Sequence, residues 1–573
     1  MFFIQMNELQ EKILLYSSII SYKILPLLHN IKLYSMKKLL FSLMGFFVFL
    51  TSQAIPAKSG KVVITQPDGT KIEVYIRGDE RFHYYETMDG KILLPDSNGI
   101  LRETDENLAE LRAKAAKIRA KVQQPGEIKS KFPTTGTVRG LIVLAQYQDV
   151  KFSKEGTLEK FQSMAMSDNY KGENAPGSMR EYFVTQSSGQ FTPEFDVVGP
   201  VTLPQNRVYY GGSDSGQERI PEMMKDAATL AHEQFGVDFT KYDANNDGYV
   251  DFFYVIFAGY GQAQGGPTES VWPCAVDLTY DVSIPGFDGM YLGKTACSCE
   301  LKGGTGTEID GIGTFCHEFS HILGLPDIYD TEYTNRYGMG HYDIMDRGGY
   351  NNDGRTPAGY TAMDKYTVGW LKPTVLEETA QELKLEDLTE SNKAYFIVSA
   401  KDKNEYYTLE NRQPTKWDAA LPGHGLVISH ISYSAMNWSK NLINTSKAGF
   451  EHVQIVAADN LWDDISEENP NAEANDVFPG KDNLHKAFTS YTMPALTWRT
   501  GESSNGQGIT NISITDGVVT FDYNAATTGI EDIVYPTADD TNKTYYTLQG
   551  ERVNAAKLSK GIYIHAGKKI VIK

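Results

Sequence analysis

The stretch CHEFSHILGLPD, residues 316–327, constrains the fold more than any other part of this sequence. Its apolar spacing predicts a helix over residues 311–324, with Asp310 as the N-cap. His317 and His321 lie on one side of that helix at about 100° per residue. Six apolar side chains share the opposite face: Ile312, Phe315, Cys316, Phe319, Ile322 and Leu323. Packing of the apolar face therefore does not explain the histidines.

The two histidines have the spacing of a zinc site. Imidazoles four residues apart on a helix can bind one Zn²⁺, and Glu318 is placed to take a proton from the metal's water, whose pKa falls to about 7. Gly324 can adopt a left-handed conformation and end the helix, so that Asp327 arrives from a new direction. We predict His317, His321 and Asp327 as metal ligands, Glu318 as the catalytic base and Gly324 as support for the site.

Two alternatives stay open at this point. Asp327 can be a capping carboxylate behind the metal's direct ligands, with Asp330 or Glu332 as the third ligand. The helix can also be an ordinary amphipathic helix whose histidines face solvent.

Composition and charge limit the class of protein. A chain of 573 residues is too long for one core, and 41% hydrophobic and 12% aromatic residues are typical of folded domains. The formal charge of −19 argues against a nucleic-acid partner, because phosphate binding needs a basic face. We expect several domains in a soluble extracellular monomer.

The N-terminal region carries an export signal. Residues 36–54 combine two lysines, an apolar run and a small-residue end, as secretory signal peptides do. We predict that translation begins at Met36, so that residues 1–35 are a mis-assigned upstream extension. The alternative is a longer leader or anchor that uses the apolar segments within residues 13–28. After the signal, no stretch has the length and apolarity of a membrane span.

Several segments carry a resemblance to known families. The pattern HExxHxxGxxD resembles the metzincin consensus with aspartate as the third ligand, and YDIMDRGGY resembles its Met-turn, with Met345 below the metal. More closely, the chain resembles the immune inhibitor A family of secreted bacterial zinc metallopeptidases. The segments that carry this resemblance are GDERFHYYETMDG, SMREYFVTQSSGQF, DGYVDFFYVIFAGYG, GTFCHEFSHILGLPDIYD, RTPAGYTAMDKYTVGWLKP and EYYTLENRQPTKWDAALPGHGLVISHI.

The resemblance implies a zinc endopeptidase that acts on proteins or peptides and is made as an inactive precursor. It also implies an α+β multidomain fold with a metzincin-like catalytic domain. Tyr350 is a candidate for transition-state assistance, or else a structural tyrosine. The predicted units are a propeptide (55–135), a catalytic domain (136–372), a β-sandwich (373–525), a linker (526–541) and a C-terminal β unit (542–573).

The cysteines bear on latency and on crosslinks. Because no cysteine precedes Cys274, a propeptide cysteine cannot block the metal. Asp79, Glu80 or His83 can serve that purpose, or can simply support the fold. The chain has four cysteines, which allow two disulfides in three pairings or, with poorer spacing, a zinc site. The position of Cys316 on the apolar face favours a buried thiol or a disulfide.

Two further segments suggest additional functions. DANNDGYVD places Asp243, Asn245, Asp247 and Asp251 at calcium-loop positions, although Tyr254 stands where an EF-hand has glutamate. The loop is a calcium-stabilised turn or an Asx-rich turn. The C-terminal segment TYYTLQGERVNAAKLSKGIYIHAGKKIVIK resembles the sorting domains of type IX secretion cargo, which implies outer-membrane secretion machinery as a partner. The alternative is a final strand pair.

These observations predict a secreted zinc-dependent endopeptidase in which Glu318 acts as general base on a metal-activated water. Two other hypotheses remain. The protein can be a non-catalytic surface or binding protein with a structural zinc helix, or a zinc hydrolase of non-peptide amides or esters.

Overall fold

The structure is a computed structural model. It describes residues 52–113, 132–154, 156–212, 219–279, 281, 284, 286–331, 337–445, 450–462, 471–499, 501, 504, 506–525, 544–547, 552–554, 558–565 and 568–572. All of them belong to one unit, residues 50–573. Most of the predicted signal peptide therefore lies outside the described residues. Among the described residues, no helix has the length and apolarity needed to cross a membrane.

The predicted propeptide forms a sheet of its own. After a short strand β1 (Ser52–Gln53), five antiparallel strands follow in chain order: β2 (Lys61–Thr65), β3 (Lys71–Gly78), β4 (His83–Glu86), β5 (Ile92–Pro95) and β6 (Leu101–Glu103). After β6 a helix begins at residue 108, and its described part reaches residue 113. The sheet buries Ile64, Val74 and Tyr85 in the same hydrophobic cluster as strands of the catalytic segment.

A six-stranded sheet forms the framework of the predicted catalytic domain. Its order is β1-β11-β13-β10-β7-β8, with β7 (Arg139–Gln146), β8 (Glu194–Thr202), β10 (Phe253–Tyr260), β11 (Cys274–Asp277) and β13 (Lys294–Leu301). The central strands pair in parallel, whereas β11 and β1 pair antiparallel at one edge. A separate parallel pair joins β9 (Tyr249–Val250) to β12 (Tyr291–Leu292). Both faces of β7 and β10 are buried, which explains their continuous apolar sequences.

Five helices accompany this sheet: α1 (Thr157–Met166), α2 (Met179–Gln186), α3 (Arg207–Gly211), α4 (Ile220–Phe235) and α5 (Gly313–Ile322). Ser178 and Glu181 form a capping box at the start of α2. Helix α4 buries Met223, Ala227 and Ala231.

Helix α5 is shorter than predicted. It begins at Gly313 and ends at Ile322, and Ile312 rather than Asp310 occupies the N-cap position. Asp310 is not a cap because its carboxylate is taken by Gln264 Nε2 at 2.9 Å, Thr314 Oγ1 at 3.2 Å and the backbone of Gly311. The six predicted apolar residues do share one hydrophobic cluster, where Phe315 packs on Tyr254 of β10 and Phe319 packs on Phe252, which directly precedes β10.

The C-terminal part contains two further sheets. One has the order β14-β16-β17-β18-β19, with β14 (Thr374–Val375), β16 (Tyr395–Val398), β17 (Glu405–Arg412), β18 (Gly425–Ser432) and β19 (Val453–Ile455). The other has the order β15-β22-β21-β20, with β15 (Ala380–Leu385), β20 (Phe488–Thr489), β21 (Gly508–Thr515) and β22 (Val518–Asn524). Apolar residues from both sheets form one cluster. Helices α6 (Ala362–Thr367), α7 (Leu388–Ser391) and α8 (Ala435–Ser439) lie between strands in the sequence.

The last unit is a four-stranded antiparallel sheet of order β24-β23-β25-β26. Its strands are β23 (Thr544–Thr547), β24 (Arg552–Asn554), β25 (Gly561–His565) and β26 (Lys568–Ile572). This agrees with a β unit at the C-terminus and leaves its role in export a prediction.

A buried arginine links the C-terminal sheets to the segment that follows α5. Arg412 donates from Nε and Nη2 to the two carboxylate oxygens of Asp418, both at 2.7 Å, and from Nη1 to Glu410 at 3.0 Å. It also donates to the carbonyl oxygens of Tyr342 and Gly359. The guanidinium is completely buried, so its charge depends on these carboxylates.

We expect Asp418→Ala to lower the free energy of unfolding by about 3–5 kcal/mol, because it leaves the Arg412 charge buried with one carboxylate instead of two. Urea denaturation followed by tryptophan fluorescence measures this. Glu390→Ala is the matched control, since Glu390 pairs with Lys416 at 2.7 Å on the surface. Equal urea midpoints for the two variants would contradict the prediction.

Candidate active site

Helix α5 brings two imidazoles together inside the protein. His317 Nε2 and His321 Nε2 lie 3.2 Å apart, and both side chains are buried. The Nδ1 atom of His317 lies 2.7 Å from the carbonyl oxygen of Ile344, and that of His321 lies 2.8 Å from the carbonyl oxygen of Leu325. A proton on each Nδ1 satisfies these carbonyls, so both Nε2 lone pairs point at the same place.

Asp327 completes the cluster after a sharp turn. Gly324 has φ +104° at the end of α5, as predicted for a glycine that ends the helix. The chain then returns so that Asp327 Oδ1 lies 3.2 Å from each Nε2 atom. Among the described residues, His317, His321 and Asp327 form the one group of three metal-ligating side chains whose ligand atoms lie within 4.8 Å of one another.

The geometry of this triangle fits zinc. Ligand atoms at about 2.0–2.1 Å from a tetrahedral Zn²⁺ stand about 3.3 Å apart, close to the observed 3.2 Å. Asp327 Oδ1 is buried and has no hydrogen-bond donor within the described structure. Two imidazole lone pairs and a carboxylate oxygen that converge on one point form a favourable arrangement around a cation.

The electrostatics of the cluster point the same way. Burial lowers the pKa of His317, which keeps the imidazole in its neutral, metal-ligating form. Burial alone would raise the pKa of Asp327, but the neighbouring imidazoles hold it below the usual range. The ionised carboxylate of Asp327 and the neutral imidazole of His317 therefore face one common point.

A residue that sequence reasoning missed holds the other side of Asp327. Asn441 Nδ2 donates to Asp327 Oδ2 at 2.5 Å, and the Asp327 backbone N–H donates to Asn441 Oδ1 at 2.7 Å. Asn441 follows helix α8, 114 residues from its partner. No local motif in the sequence signals this contact.

Glu318 lies on the same helix and is fully buried. Its Oε1 atom accepts a hydrogen bond from the backbone N–H of Ile55 at 2.7 Å, while Oε2 has no donor within the described structure. Burial raises the pKa of Glu318 well above its ordinary value. A carboxylate with a high proton affinity and a free oxygen can accept and return a proton.

The chain segment around Ile55 occupies the space in front of Glu318. The carbonyl oxygen of Ala54 accepts from Tyr329 Oη at 2.6 Å, that of Ile55 from Trp272 Nε1 at 3.1 Å, and that of Pro56 from Tyr350 Oη at 2.6 Å. Just before it, β1 pairs antiparallel with the edge strand β11. We call residues 54–57 the cleft segment; an extended chain bound beside an edge strand is the way many proteins bind peptides.

The other predicted site residues have supporting contacts. Met345 is buried in a turn next to Ile344, whose carbonyl orients His317, and its own carbonyl accepts from the backbone of Ile328 at 2.9 Å. The hydroxyl of Tyr350 is held by Pro56. Of the alternative third ligands, Asp330 is outside the three-residue group and Glu332 lies outside the described residues.

The latency candidates and cysteines have other partners. Asp79 accepts from the backbone of Arg81 and Phe82, Glu80 pairs with Arg81 at 3.2 Å, and His83 contacts Gln262 at 2.7 Å. Of the alternatives open for the cysteines, the structure has buried thiols: all four are free and buried. Cys274 and Cys297 face each other across β11 and β13, while Cys316 lies in the apolar cluster of α5.

The predicted calcium loop folds back on its own backbone. Asp243 accepts from the backbone N–H groups of Asp247 and Gly248, and Asp251 Oδ2 accepts from that of Ala244. Asp251 is buried, and its Oδ1 atom has no donor within the described structure. Burial, with the nearby acidic residues, raises the pKa of Asp251 to about 7.

Residues 142–374 match the sequence family described as Immune inhibitor A peptidase M6, catalytic domain. Immune inhibitor A of Bacillus thuringiensis subsp. alesti is 27% identical over 280 residues, covering 39% of this chain and 38% of the relative. Pre-pro-metalloprotease PrtV of Vibrio cholerae serotype O1 (strain M66-2) is 24% identical over 246 residues, covering 39% of this chain and 25% of the relative. These matches support the peptidase M6 family, and with it a metallopeptidase.

The matches cover only part of this chain and only part of each relative. This chain spans less than two fifths of the length of the Bacillus relative and a quarter of that of the Vibrio relative. The matched segment contains α5, Asp327, Met345 and Tyr350. It contains neither the cleft segment nor Asn441.

Proposed function

We propose that this protein is a secreted zinc-dependent endopeptidase, made as a latent precursor, that hydrolyses peptide bonds of extracellular proteins. The observation that carries the proposal is the buried triangle of His317, His321 and Asp327, with 3.2 Å between the ligand atoms. The peptidase M6 match over residues 142–374 supports it. We assign the three residues as zinc ligands and Glu318 as the general base.

The residues around the site would divide the chemistry as follows. Zinc, when bound, supplies a Lewis acid that lowers the pKa of water to about 7 and polarises the scissile carbonyl. Glu318 takes the proton from the attacking water through its open Oε2 atom and then gives it to the leaving amine. The carbonyls of Ile344 and Leu325 hold the imidazoles in the tautomer that ligates metal.

We expect Glu318→Gln to lower casein hydrolysis by about 10²–10⁴-fold, the usual contribution of a general base, while the bound zinc stays. The protein is assayed after removal of the propeptide, with and without a zinc chelator, and its zinc content is measured. Glu308→Gln is the control, because Glu308 is an exposed glutamate that pairs with Lys302.

Three results distinguish the competing hypotheses. A processed wild-type protein that holds zinc and cleaves no protein contradicts the proposal and favours a binding protein with a structural zinc helix. Hydrolysis of esters or small amides, lost with Glu318 but never seen on proteins, favours a non-peptide hydrolase. Chelator-sensitive casein cleavage supports the endopeptidase.

We further propose that the cleft segment is the origin of latency. It occupies the space beside Glu318 and donates the Ile55 N–H to the carboxylate that a substrate's water would need. If the signal peptide ends at Ala54, as the sequence predicts, the nitrogen of Ile55 becomes an α-amino group, and its positive charge strengthens this contact. One relative is named Pre-pro-metalloprotease PrtV, and this name agrees with a precursor form.

We expect Ile55→Asp to raise peptide hydrolysis by the unprocessed precursor about tenfold or more, because a carboxylate at the fully buried Ile55 side chain destabilises the bound segment and each 1.4 kcal/mol is about tenfold. A fluorogenic peptide assay measures this, with gel electrophoresis to verify that the precursor is intact. Val63→Asp is the control, since Val63 is an exposed propeptide residue. An Ile55→Asp precursor as inactive as wild type, with a processed form that is active, contradicts the latency proposal.

We also propose that the loop at residues 243–251 binds calcium, with Asp243, Asn245, Asp247 and Asp251 as ligands. The unpartnered Oδ1 atom of Asp251 supports this, because a buried carboxylate oxygen without a donor fits an oxygen-coordinated cation.

We expect calcium at about 5 mM, above the dissociation constants of extracellular sites, to raise the thermal midpoint of wild type and not that of Asp251→Asn. Differential scanning fluorimetry measures this, with magnesium as the control ion. Equal midpoints with and without calcium contradict the calcium proposal.

The signal peptide, the domain boundaries and type IX export remain proposals as well. The sheet of β23–β26 supports a separate C-terminal β unit. Mass spectrometry of the secreted protein, which gives both of its termini, tests them together.

A further inference from the structure

Asn441 makes two hydrogen bonds to Asp327, one of them to the carboxylate oxygen other than the one that faces the histidines. Its side-chain amide donates to Oδ2 at 2.5 Å and accepts from the Asp327 backbone at 2.7 Å. The two bonds fix which end of the amide is nitrogen, because only the nitrogen can donate to a carboxylate. Both residues are buried, with 7% of Asn441 and 1% of Asp327 exposed.

This contact decides which oxygen of Asp327 faces the histidines. A carboxylate can present either oxygen to a metal, or both, and can rotate about its last torsion unless one oxygen is held. Because Asn441 holds Oδ2, Oδ1 alone lies at 3.2 Å from the two Nε2 atoms. The backbone carbonyls of Ile344 and Leu325 orient the other two ligands, His317 and His321, in the same way.

The backbone of Asn441 is suited to this position. Asn441 has φ +53°, a left-handed conformation that asparagine tolerates better than most residues, just after helix α8. A second asparagine anchors the next part of the chain: Asn444 Nδ2 donates to the carbonyl oxygens of Ile328 at 2.6 Å and Val453 at 2.7 Å. The loop that carries both asparagines is therefore tied to Asp327 and Ile328 together.

We propose that Asn441 is a positioning residue of the zinc site, supplied by the C-terminal β-rich part of the chain. The proposal rests on the proposed function of the site, because it takes His317, His321 and Asp327 as the ligands. Asn441 lies outside the segment 142–374 that matches the peptidase family, so nothing in that match assigns it a role. The metal site is then complete only when the C-terminal part is folded against Ile328 and Asp327.

Loss of the amide should weaken metal binding before it weakens the fold. Residues that orient metal ligands typically contribute about 10–100-fold to metal affinity. In Asn441→Gly, glycine accepts the positive φ, so the backbone is kept while the amide is removed. In Asn441→Asp, the acceptor for the Asp327 backbone is kept, while the donor to Oδ2 is replaced by a like charge.

The experiment measures zinc affinity of the full-length protein by competition with a chromogenic chelator. Asn483→Gly is the matched control, because Asn483 also has a positive φ and an exposed side chain in the C-terminal part. The visible absorption of the Co²⁺-substituted proteins reports ligand geometry independently of catalysis. Thermal midpoints report the fold.

We expect Asn441→Gly and Asn441→Asp to bind zinc about 10–100-fold more weakly than wild type, with an altered Co²⁺ spectrum. Asn483→Gly should match wild type in both. Wild-type zinc affinity and an unchanged Co²⁺ spectrum in either Asn441 variant overturn the inference. If Asn441→Gly fails to fold, the near-isosteric Asn441→Asp decides by the same two readouts.

The outcome is separable from that of the proposed function. If the wild-type protein holds zinc but cleaves no protein, the peptidase proposal is wrong, while the zinc affinities still test the role of Asn441. If the wild-type protein cleaves casein and the Asn441 variants hold zinc as tightly as wild type does, the proposed role of Asn441 is wrong and the peptidase proposal stands.

Discussion

The burial of the Asp327 carboxylate is the constraint on which the rest of the site depends. A carboxylate that is 1% exposed has lost its water, so every oxygen needs a donor or a cation. Asn441 supplies the donor for Oδ2, and nothing in the described structure supplies one for Oδ1. The imidazoles beside Oδ1 are turned so that they offer lone pairs. A divalent cation at their common point is the arrangement that satisfies all three groups.

Distant parts of the chain build this environment. Helix α5 supplies the histidines and Glu318 from the face of the six-stranded sheet, where Phe315 and Phe319 pack on the aromatic residues of the sheet. The segment that follows α5 is held by the C-terminal sheets through Asn441, Asn444 and the buried Arg412. The cleft segment, near the N-terminal end of the described residues, contacts Glu318 through the backbone N–H of Ile55.

The sequence could predict the local features of the site and few of its long-range contacts. The spacing of His317 and His321, and the glycine at Gly324, are properties of one helix and its end, and the structure has all three where they were expected. The start of α5 was placed too early because Asp310, a good capping residue by type, is engaged by Gln264. No pattern within α5 can indicate that the carboxylate of Asp310 binds Gln264 instead of capping the helix.

Contacts between residues far apart in the sequence were missed for the same reason. Ile55 and Glu318 are separated by 263 residues, and Asp327 and Asn441 by 114. Asparagine after a short helix and isoleucine after a signal-like segment are common and carry no local signature of a partner. The cysteines were left open for a different reason: their spacing permits crosslinks but does not report whether buried thiols pack better unbonded, as all four do in the structure.

The arrangement separates access to the site from assembly of the site. The cleft segment contacts Glu318 and the residues around it, namely Trp272, Tyr329 and Tyr350, whereas the ligand set is held by Ile344, Leu325 and Asn441. Removing the segment would therefore free the Oε1 atom of Glu318 without removing any hydrogen bond that orients a ligand. The proposed latency is therefore compatible with metal binding during folding, because the proposed metal ligands and the groups that bind the cleft segment are different.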